Sequence, residues 1–252
     1  MKKRKDYWLY RIVRWLVWLF SPKLTTQGAE NLPEEPCIIV GNHCQMYGPI
    51  ACEIYPPVNR YTWCAGEMMK WKEVPGYAFS DFWSQKPRWT HPFFKLLSYL
   101  VTPLAVLIFN NAQTIPVYHD TRVLTTFRES VRVMTEGASL VIFPEKDAPY
   151  NHILYAFQER FVDVAKLYYR KTGRAVAFVP LYIAPRLSRQ VFGAPVRFDP
   201  EAPIAQERER ICAALQQEIT ALAEALPRHV VVPYRNIPKK NYPVNIPEET
   251  AS

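Results

Sequence analysis

Residues 37–48 read CIIVGNHCQMYG, and the reading of this stretch decides the fold. Cys37-Ile38-Ile39-Val40 is a run of strand-forming apolar residues that ends in Gly41-Asn42-His43, and Gly48-Pro49 then opens a short helical segment over Ile50–Tyr55. An apolar strand that delivers a polar side chain to its carboxyl end, with a Pro-initiated helix beyond it, is how α/β folds present reactive groups. His43 is the candidate base on that reading; the competing reading is a His that serves only as a structural hydrogen-bonder. Further along, Ser139-Leu140-Val141-Ile142 ends in Phe143-Pro144-Glu145. Two apolar strands that both terminate in polar, reactive-type residues suggest one shared site.

The pattern around these strands alternates. Thr114–Tyr118 reads as a strand, Thr121–Glu136 as an amphipathic helix stopped by Gly137, and Ser139–Phe143 as the next strand. Tyr155–Arg170 reads as a second amphipathic helix stopped at Gly173, and Ala175–Ile183 as a strand rich in β-branched and aromatic residues. This β-α-β-α-β order predicts an α/β fold, a largely parallel sheet flanked by helices. Leu24–Glu30 and Tyr61–Ala65 add short strands, Val191–Phe198 an edge strand, and Gly66–Gln85 an aromatic-rich helix and loop. Ile204–Leu226 carries the longest helical pattern. The expected organisation is a helix over residues 1–22, one α/β domain over 23–226, and an irregular, Pro- and Asn-rich tail over 227–252 lying on the surface.

The 252 residues suffice for a full core, and 23 prolines against 8 glycines with 14% aromatic residues exclude a disordered chain. The five cysteines, at 37, 44, 52, 64 and 212, form no C-x-x-C pair and no His/Cys cluster, so neither a zinc site nor a secreted disulfide framework is expected, and no metal. Cys44 reads either as a nucleophile or as a small buried hydrophobe.

A net charge of +8 attracts acidic partners, and its distribution identifies which. Lys2-Lys3-Arg4-Lys5 is fused to a segment carrying Trp8, Trp15 and Trp18, interrupted by Arg11 and Arg14. That segment lacks a signal-peptide cleavage site and falls short of the roughly 20 apolar residues a span requires. It reads as an amphipathic helix in a membrane interface, on the cytoplasmic face, or as a core-packing terminal helix. Pro92–Phe109 is either a buried helix kinked at Pro103 or a second membrane-dipping element. A nucleic-acid partner is not expected, because no recognised motif accompanies the charge.

Taken together, these elements resemble the glycerolipid acyltransferase family, whose best-known members are the lysophosphatidic acid acyltransferases. The resemblance is carried by Gly28-Ala29-Glu30-Asn31-Leu32-Pro33, Asn42-His43, Thr114-Ile115-Pro116-Val117, Phe143-Pro144-Glu145 and Val179-Pro180-Leu181-Tyr182-Ile183, in the family's order. It implies a membrane-associated enzyme that moves an acyl chain from a thioester of coenzyme A or acyl carrier protein, used as co-substrate with no bound cofactor, to a lysophospholipid-type hydroxyl. His43 matches the family's general base. Phe143-Pro144-Glu145 matches the block associated with acceptor binding, and Asn42, His119, Arg122, Phe143, Pro144 and Lys146 are the candidate acceptor-binding residues.

The departures matter as much. The resemblance leads one to expect Asp where Gly48 stands, a basic residue near His119 and Arg122, and Gly where Lys146 stands. A carboxylate fixes the tautomer of its His partner and stabilises the imidazolium, and losing that charge in a serine-protease triad costs about 10⁴ in turnover. Glu145 and Asp147 are the carboxylates that could substitute, Glu145 the preferred one. Two functions follow: a membrane-associated acyltransferase with His43 and Glu145 as catalytic residues, or a degenerate relative that binds lipid or a partner without turnover.

Overall fold

The computed structural model describes residues 7–118 and 120–246. The Lys2–Lys5 run and His119 lie outside the described residues. The elements run α1 (Tyr7–Phe20), β1 (Thr25–Gln27), β2 (Ile38–Gly41), α2 (Tyr47–Ile54), β3 (Arg60–Ala65) and α3 (Val74–Ala78). They continue with α4 (His91–Asn111), β4 (Thr114–Val117), α5 (Val123–Thr135), β5 (Ser139–Ile142), β6 (Glu145–Tyr150) and β7 (Tyr155–Phe157). The last are α6 (Asp163–Thr172), β8 (Ala177–Ala184), β9 (Arg189–Phe192), β10 (Val196–Arg197) and α7 (Ile204–Glu224). The chain forms two compact units, one of Met1–Ser21 with Tyr61–Glu129 and one of Pro22–Arg60 with Ser130–Ser252.

In the second unit β2 lies between β5 and β8 and runs parallel to both, with Ile39 opposite Val141 on one side and Val179 on the other. Every residue of β2, β5 and β8 is buried, the signature of a parallel sheet covered on both faces and the reason these strands read as unbroken apolar runs. The sheet is mixed beyond that core: β9 and β10 pair antiparallel to β8, and β1 runs parallel to β9. Pro180 is tolerated within β8 because β9 pairs from Leu181 onward and β10 only back to Phe178, so the residue without an N–H falls at the break between them.

The segment expected as a helix over Tyr155–Arg170 is three things. Tyr155–Phe157 is a strand, paired with β6 so that Glu145 faces Phe157; a 3₁₀ turn follows over Glu159–Val162, and the α-helix starts at Asp163. The alternation of buried Tyr155 and Phe157 has period two, and a helical period takes over only beyond it. The chain after Pro227 has little regular structure, yet it does not simply lie on the surface. Val231 and Val232 are buried, Val230 bridges Val244, and the Asn245 amide donates to the carbonyls of Ala223 (2.8 Å) and Leu226 (3.1 Å) at the end of α7.

In the first unit β3 and β4 pair in parallel, Trp63 opposite Ile115. The Pro92–Phe109 segment belongs to one helix, α4, continuous through Pro103, with the Thr102 hydroxyl donating to Ser98 O at 2.8 Å. Its polarity is inverted relative to an ordinary surface helix. Ser98, Thr102 and Ala105 are buried, whereas Phe93, Leu96, Leu100 and Leu104 are exposed. Helix α1 exposes Trp8, Trp15, Trp18 and Phe20 in the same way and buries Tyr10. Leu9, Val13, Trp71, Pro103, Leu104 and Leu107 line an apolar cavity of about 570 Å³ in this unit. Among the described residues one helix, Arg88–Asn111, is long and apolar enough to cross a membrane.

Candidate active site

His43 follows β2 directly, where the chain leaves the sheet. Its descent into α2 is abrupt. Cys44 and Gln45 both take left-handed backbone angles, φ 47° and 55°, uncommon for residues with side chains and costly by about 1–3 kcal/mol each. The helix begins at Tyr47 with Met46 as its N-cap, ahead of the Gly48-Pro49 opening, so Gly48 is inside the first turn. The two left-handed residues curl the loop so that the main-chain carbonyl of Gln45 meets Nδ1 of His43 in a hydrogen bond. A carbonyl only accepts, so Nδ1 carries the proton and Nε2 presents its lone pair. Nε2 has no hydrogen-bond partner among the described residues. Burial pushes the imidazole below its ordinary value of 6.5, against the opposing pull of the Gln45 carbonyl, and it is therefore neutral at pH 7.

The ring sits among aromatics. Phe143 meets it edge-on at 5.3 Å between centroids, and Tyr234 lies at 5.2 Å. The Phe143 ring also explains Gly48. A Cβ at position 48 would lie 2.9 Å from Phe143 Cε1, 2.6 Å from the His43 carbonyl oxygen and 2.9 Å from that of Asn42, so the space for any side chain is already filled.

Glu145 is brought to His43, but not to its ring. One carboxylate oxygen accepts the His43 main-chain N–H at 2.6 Å, and the other accepts that of Tyr155 at 2.8 Å. The expected carboxylate–imidazole pair is not formed: each oxygen accepts a backbone N–H, and His43 Nδ1 is turned to the Gln45 carbonyl. Burial raises the Glu145 carboxyl from 4.5 to about 7, the two N–H groups pulling the other way. Asp147 does not substitute. Its side chain is exposed and 3.9 Å from Arg235.

The remaining candidates separate. Asn42 is 2% exposed and fully committed to structure: its carbonyl accepts from Ile183 N (2.7 Å), and its amide donates to Ile183 O (3.1 Å) and Cys44 Sγ (2.8 Å). It extends the β2–β8 ladder by one side chain and has no donor left for an acceptor lipid. Cys44 is buried, its thiol directed at Ile183 O (3.3 Å) and its pKa raised well above the ordinary value by burial, which rules out the nucleophile reading. Pro144 is buried, its carbonyl accepting from Gln158 N at 2.8 Å. Lys146 is exposed on β6. Arg122 belongs to the other unit, where Asp120 holds it through a bidentate contact, Nε to Oδ1 and Nη2 to Oδ2, and Tyr118 lies under its guanidinium at 4.0 Å. Among the described residues no group of three or more His, Cys, Asp or Glu could hold a metal.

No protein-family model matches the chain, and no curated protein matches it either. Among solved structures, the chain is similar to the 1-acyl-sn-glycerophosphate (LPA) acyltransferase PlsC of Thermotoga maritima, with 15% sequence identity over 86% of this chain and 83% of that one, at a TM-score of 0.44. At that score the likeness carries no weight for the site, whose chemistry rests on the geometry above.

Sequence reasoning missed Gln45, Tyr234 and Tyr242. Gln45 acts through its main-chain carbonyl, which no residue type announces. The tyrosines lie in the tail, whose proline-rich composition reads as loop, and only the apolar Val230-Val231-Val232 run ahead of Tyr234 signals that this loop is anchored.

Proposed function

We propose that the protein is a membrane-associated acyltransferase that uses His43 as general base to move an acyl group from a thioester of coenzyme A or acyl carrier protein to the hydroxyl of a lysophospholipid. The observation that carries the reading is the contact of His43 Nδ1 with the Gln45 carbonyl, which sets a neutral imidazole as the Nδ1–H tautomer, with no partner for Nε2 among the described residues. Nε2 removes the proton of the acceptor hydroxyl as its oxygen attacks the thioester carbonyl carbon; the C–S bond then breaks, and the imidazolium returns the proton to the departing sulfur. Phe143 and Tyr234 give the base an apolar surround suited to a thioester and an acyl chain. Glu145 positions the base through its backbone. The outward apolar faces of α1 and α4 support attachment to lipid, since a helix that buries Ser98 and Thr102 while exposing Phe93, Leu96 and Leu100 has its solvent preference reversed.

A second reading is favoured by one observation, that no carboxylate among the described residues bonds to the His43 ring. A carbonyl orients the imidazole but adds no full negative charge to stabilise the imidazolium, so a lipid-binding protein without turnover fits the same geometry. One experiment separates the two. Detergent-purified protein is incubated with labelled acyl-coenzyme A or acyl carrier protein and a panel of lysolipids, and products are read by mass spectrometry beside the His43→Ala variant. Transfer that His43→Ala abolishes supports the enzyme. No transfer to any lysolipid, with lipid binding unchanged in His43→Ala, overturns it.

A further inference from the structure

We propose that the C-terminal strap, residues 228–246, positions the base: Tyr242 holds the Gln45 side chain so that the Gln45 main-chain carbonyl keeps His43 in its Nδ1–H tautomer. The proposal rests on the reading of His43 as a base and adds the element that fixes its proton. The starting point is the pair of left-handed residues, Cys44 and Gln45. Two consecutive strained residues persist only where neighbours hold them. Cys44 is held from β8, by Ile183 O. Gln45 is held from the strap, its Nε2 donating to the Tyr242 hydroxyl at 2.7 Å across 197 positions of sequence.

A partner can position another residue only if it is itself fixed, and the strap is. Val232 belongs to the same apolar cluster as Cys44, Ile39 and Ile183, and Tyr242 packs against that cluster. Val231 N donates to Pro243 O at 2.9 Å and Asn245 N to His229 O at 3.1 Å, so the two arms of the strap are tied together. Asn245 fastens the far arm to the end of α7, and the buried Tyr182 hydroxyl and His229 Nε2, 2.8 Å apart, fasten the near arm to β8. Between the arms the chain carries Tyr234 onto the His43 ring. The strap thus touches the base twice, once at its ring and once through the residue that fixes its tautomer. In a site whose ring has no carboxylate partner among the described residues, this supplies the orienting half of what a carboxylate would do, without the charge.

The test is nitrogen NMR on full-length, ¹⁵N-histidine-labelled protein in detergent, with the His43 signals assigned by their loss in His43→Ala. Wild type is expected to show a pyridine-type Nε2 and a protonated Nδ1 at neutral pH. Tyr242→Phe removes the hydroxyl and keeps the ring, and Gln45→Met removes the amide and leaves the strap whole. Each is expected to give a mixture of tautomers, and the double variant no more mixing than either single, because both cut the same link. A merely structural Tyr242 would change the unfolding midpoint and leave the tautomer as in wild type. Retention of the wild-type tautomer in folded Gln45→Met overturns the proposal, as does a double variant whose effect is the sum of the singles. The readout needs no turnover, so an inactive protein with the expected spectra overturns the acyltransferase reading and leaves standing the link from Tyr242 through Gln45 to the His43 tautomer.

Discussion

Glu145 grips His43 by its main chain. The carboxylate takes the His43 N–H at 2.6 Å and, through its other oxygen, the Tyr155 N–H at 2.8 Å, so it ties the end of β2 to the β6–β7 hairpin. Glu145 is 3% exposed, and a buried acceptor held by two main-chain donors is costly to remove, since each buried donor left unmet costs about 1–3 kcal/mol. Glu145 therefore sets where His43 stands, not what charge its ring meets.

Glu145→Gln separates these roles through pH. The folded-state pKa is raised from 4.5 to about 7, so the folded protein binds the proton more tightly than the unfolded chain does. The stability this contributes is fully present below 4.5 and is lost as pH rises towards 7, on the order of 3 kcal/mol across that window. Gln keeps one acceptor and does not titrate. Urea unfolding is expected to show the advantage of wild type over Glu145→Gln greatest at pH 5 and smaller at pH 8. An advantage that grows with pH would mean that Glu145 is ionised more readily folded than unfolded.

The core was legible and the loop was not. Strands β2, β5 and β8 are buried on both faces and therefore read as continuous apolar runs, and α7 announces itself by 21 residues of helical pattern. His43 and Glu145 were legible as neighbours because both follow the ends of adjacent parallel strands. Their relation was not, because it runs through backbone N–H groups that every residue owns. The same blindness covers the Gln45 carbonyl and Asn42, whose polar type suggests a ligand contact while its position demands a ladder bond to Ile183. Tyr155–Phe157 was misread because three residues of strand periodicity fused with the helix that begins eight residues after Tyr155, at Asp163.

His43 predicts an acid limb. Burial holds its pKa below 6.5 and protonation removes the lone pair on Nε2, so the limb that the imidazole itself gives to kcat/KM for acyl transfer is expected below pH 6.5. Glu145 titrates near 7 and thereby changes how strongly it accepts the His43 main-chain N–H, giving a second, shallower limb there. A pH–rate profile of wild type beside Glu145→Gln assigns both, since the limb near 7 should vanish in the variant and the lower one remain. A single limb well above 7 in both proteins would be incompatible with a desolvated imidazole as the base.

Gly48→Asp tests whether the missing carboxylate can be restored. Sequence alone favours the change, because Asp suits a helix N-cap. The structure reverses that expectation: the cap is Met46, and a Cβ on residue 48 would sit 2.6 Å from the His43 carbonyl oxygen and within 2.9 Å of the Phe143 ring. Backbone atoms yield poorly, and overpacking of this kind costs about 1–3 kcal/mol. Both Gly48→Ala and Gly48→Asp are expected to lower the unfolding midpoint and to lower transfer, the shared loss identifying the methyl-sized clash as the cause. Transfer raised by Gly48→Asp, with the midpoint unchanged, would show that the loop opens to admit a side chain.

Trp8, Trp15 and Phe20 on α1 and Phe93, Leu96 and Leu100 on α4 are exposed large apolar side chains, while the residues α4 turns inward are small or polar. Each large ring or branched chain placed in lipid gains about 1.5–3 kcal/mol relative to water, so either helix alone holds enough apolar surface for measurable attachment. Basic Arg11 and Arg14 on α1 add attraction to anionic headgroups, which salt screens. Vesicle flotation should therefore show partial release when Trp8, Trp15 and Phe20 are changed to Ser, and partial release when Phe93, Leu96 and Leu100 are. The combined variant should be released fully. High salt should weaken binding of the α4 variant, which depends on α1 and its arginines, more than that of the α1 variant. Because these side chains point out of the first unit, the released protein should unfold at the wild-type temperature. A combined variant that stays on vesicles would place the attachment elsewhere in the chain, and one that loses its folded state would show that these rings pack within the protein and do not face lipid.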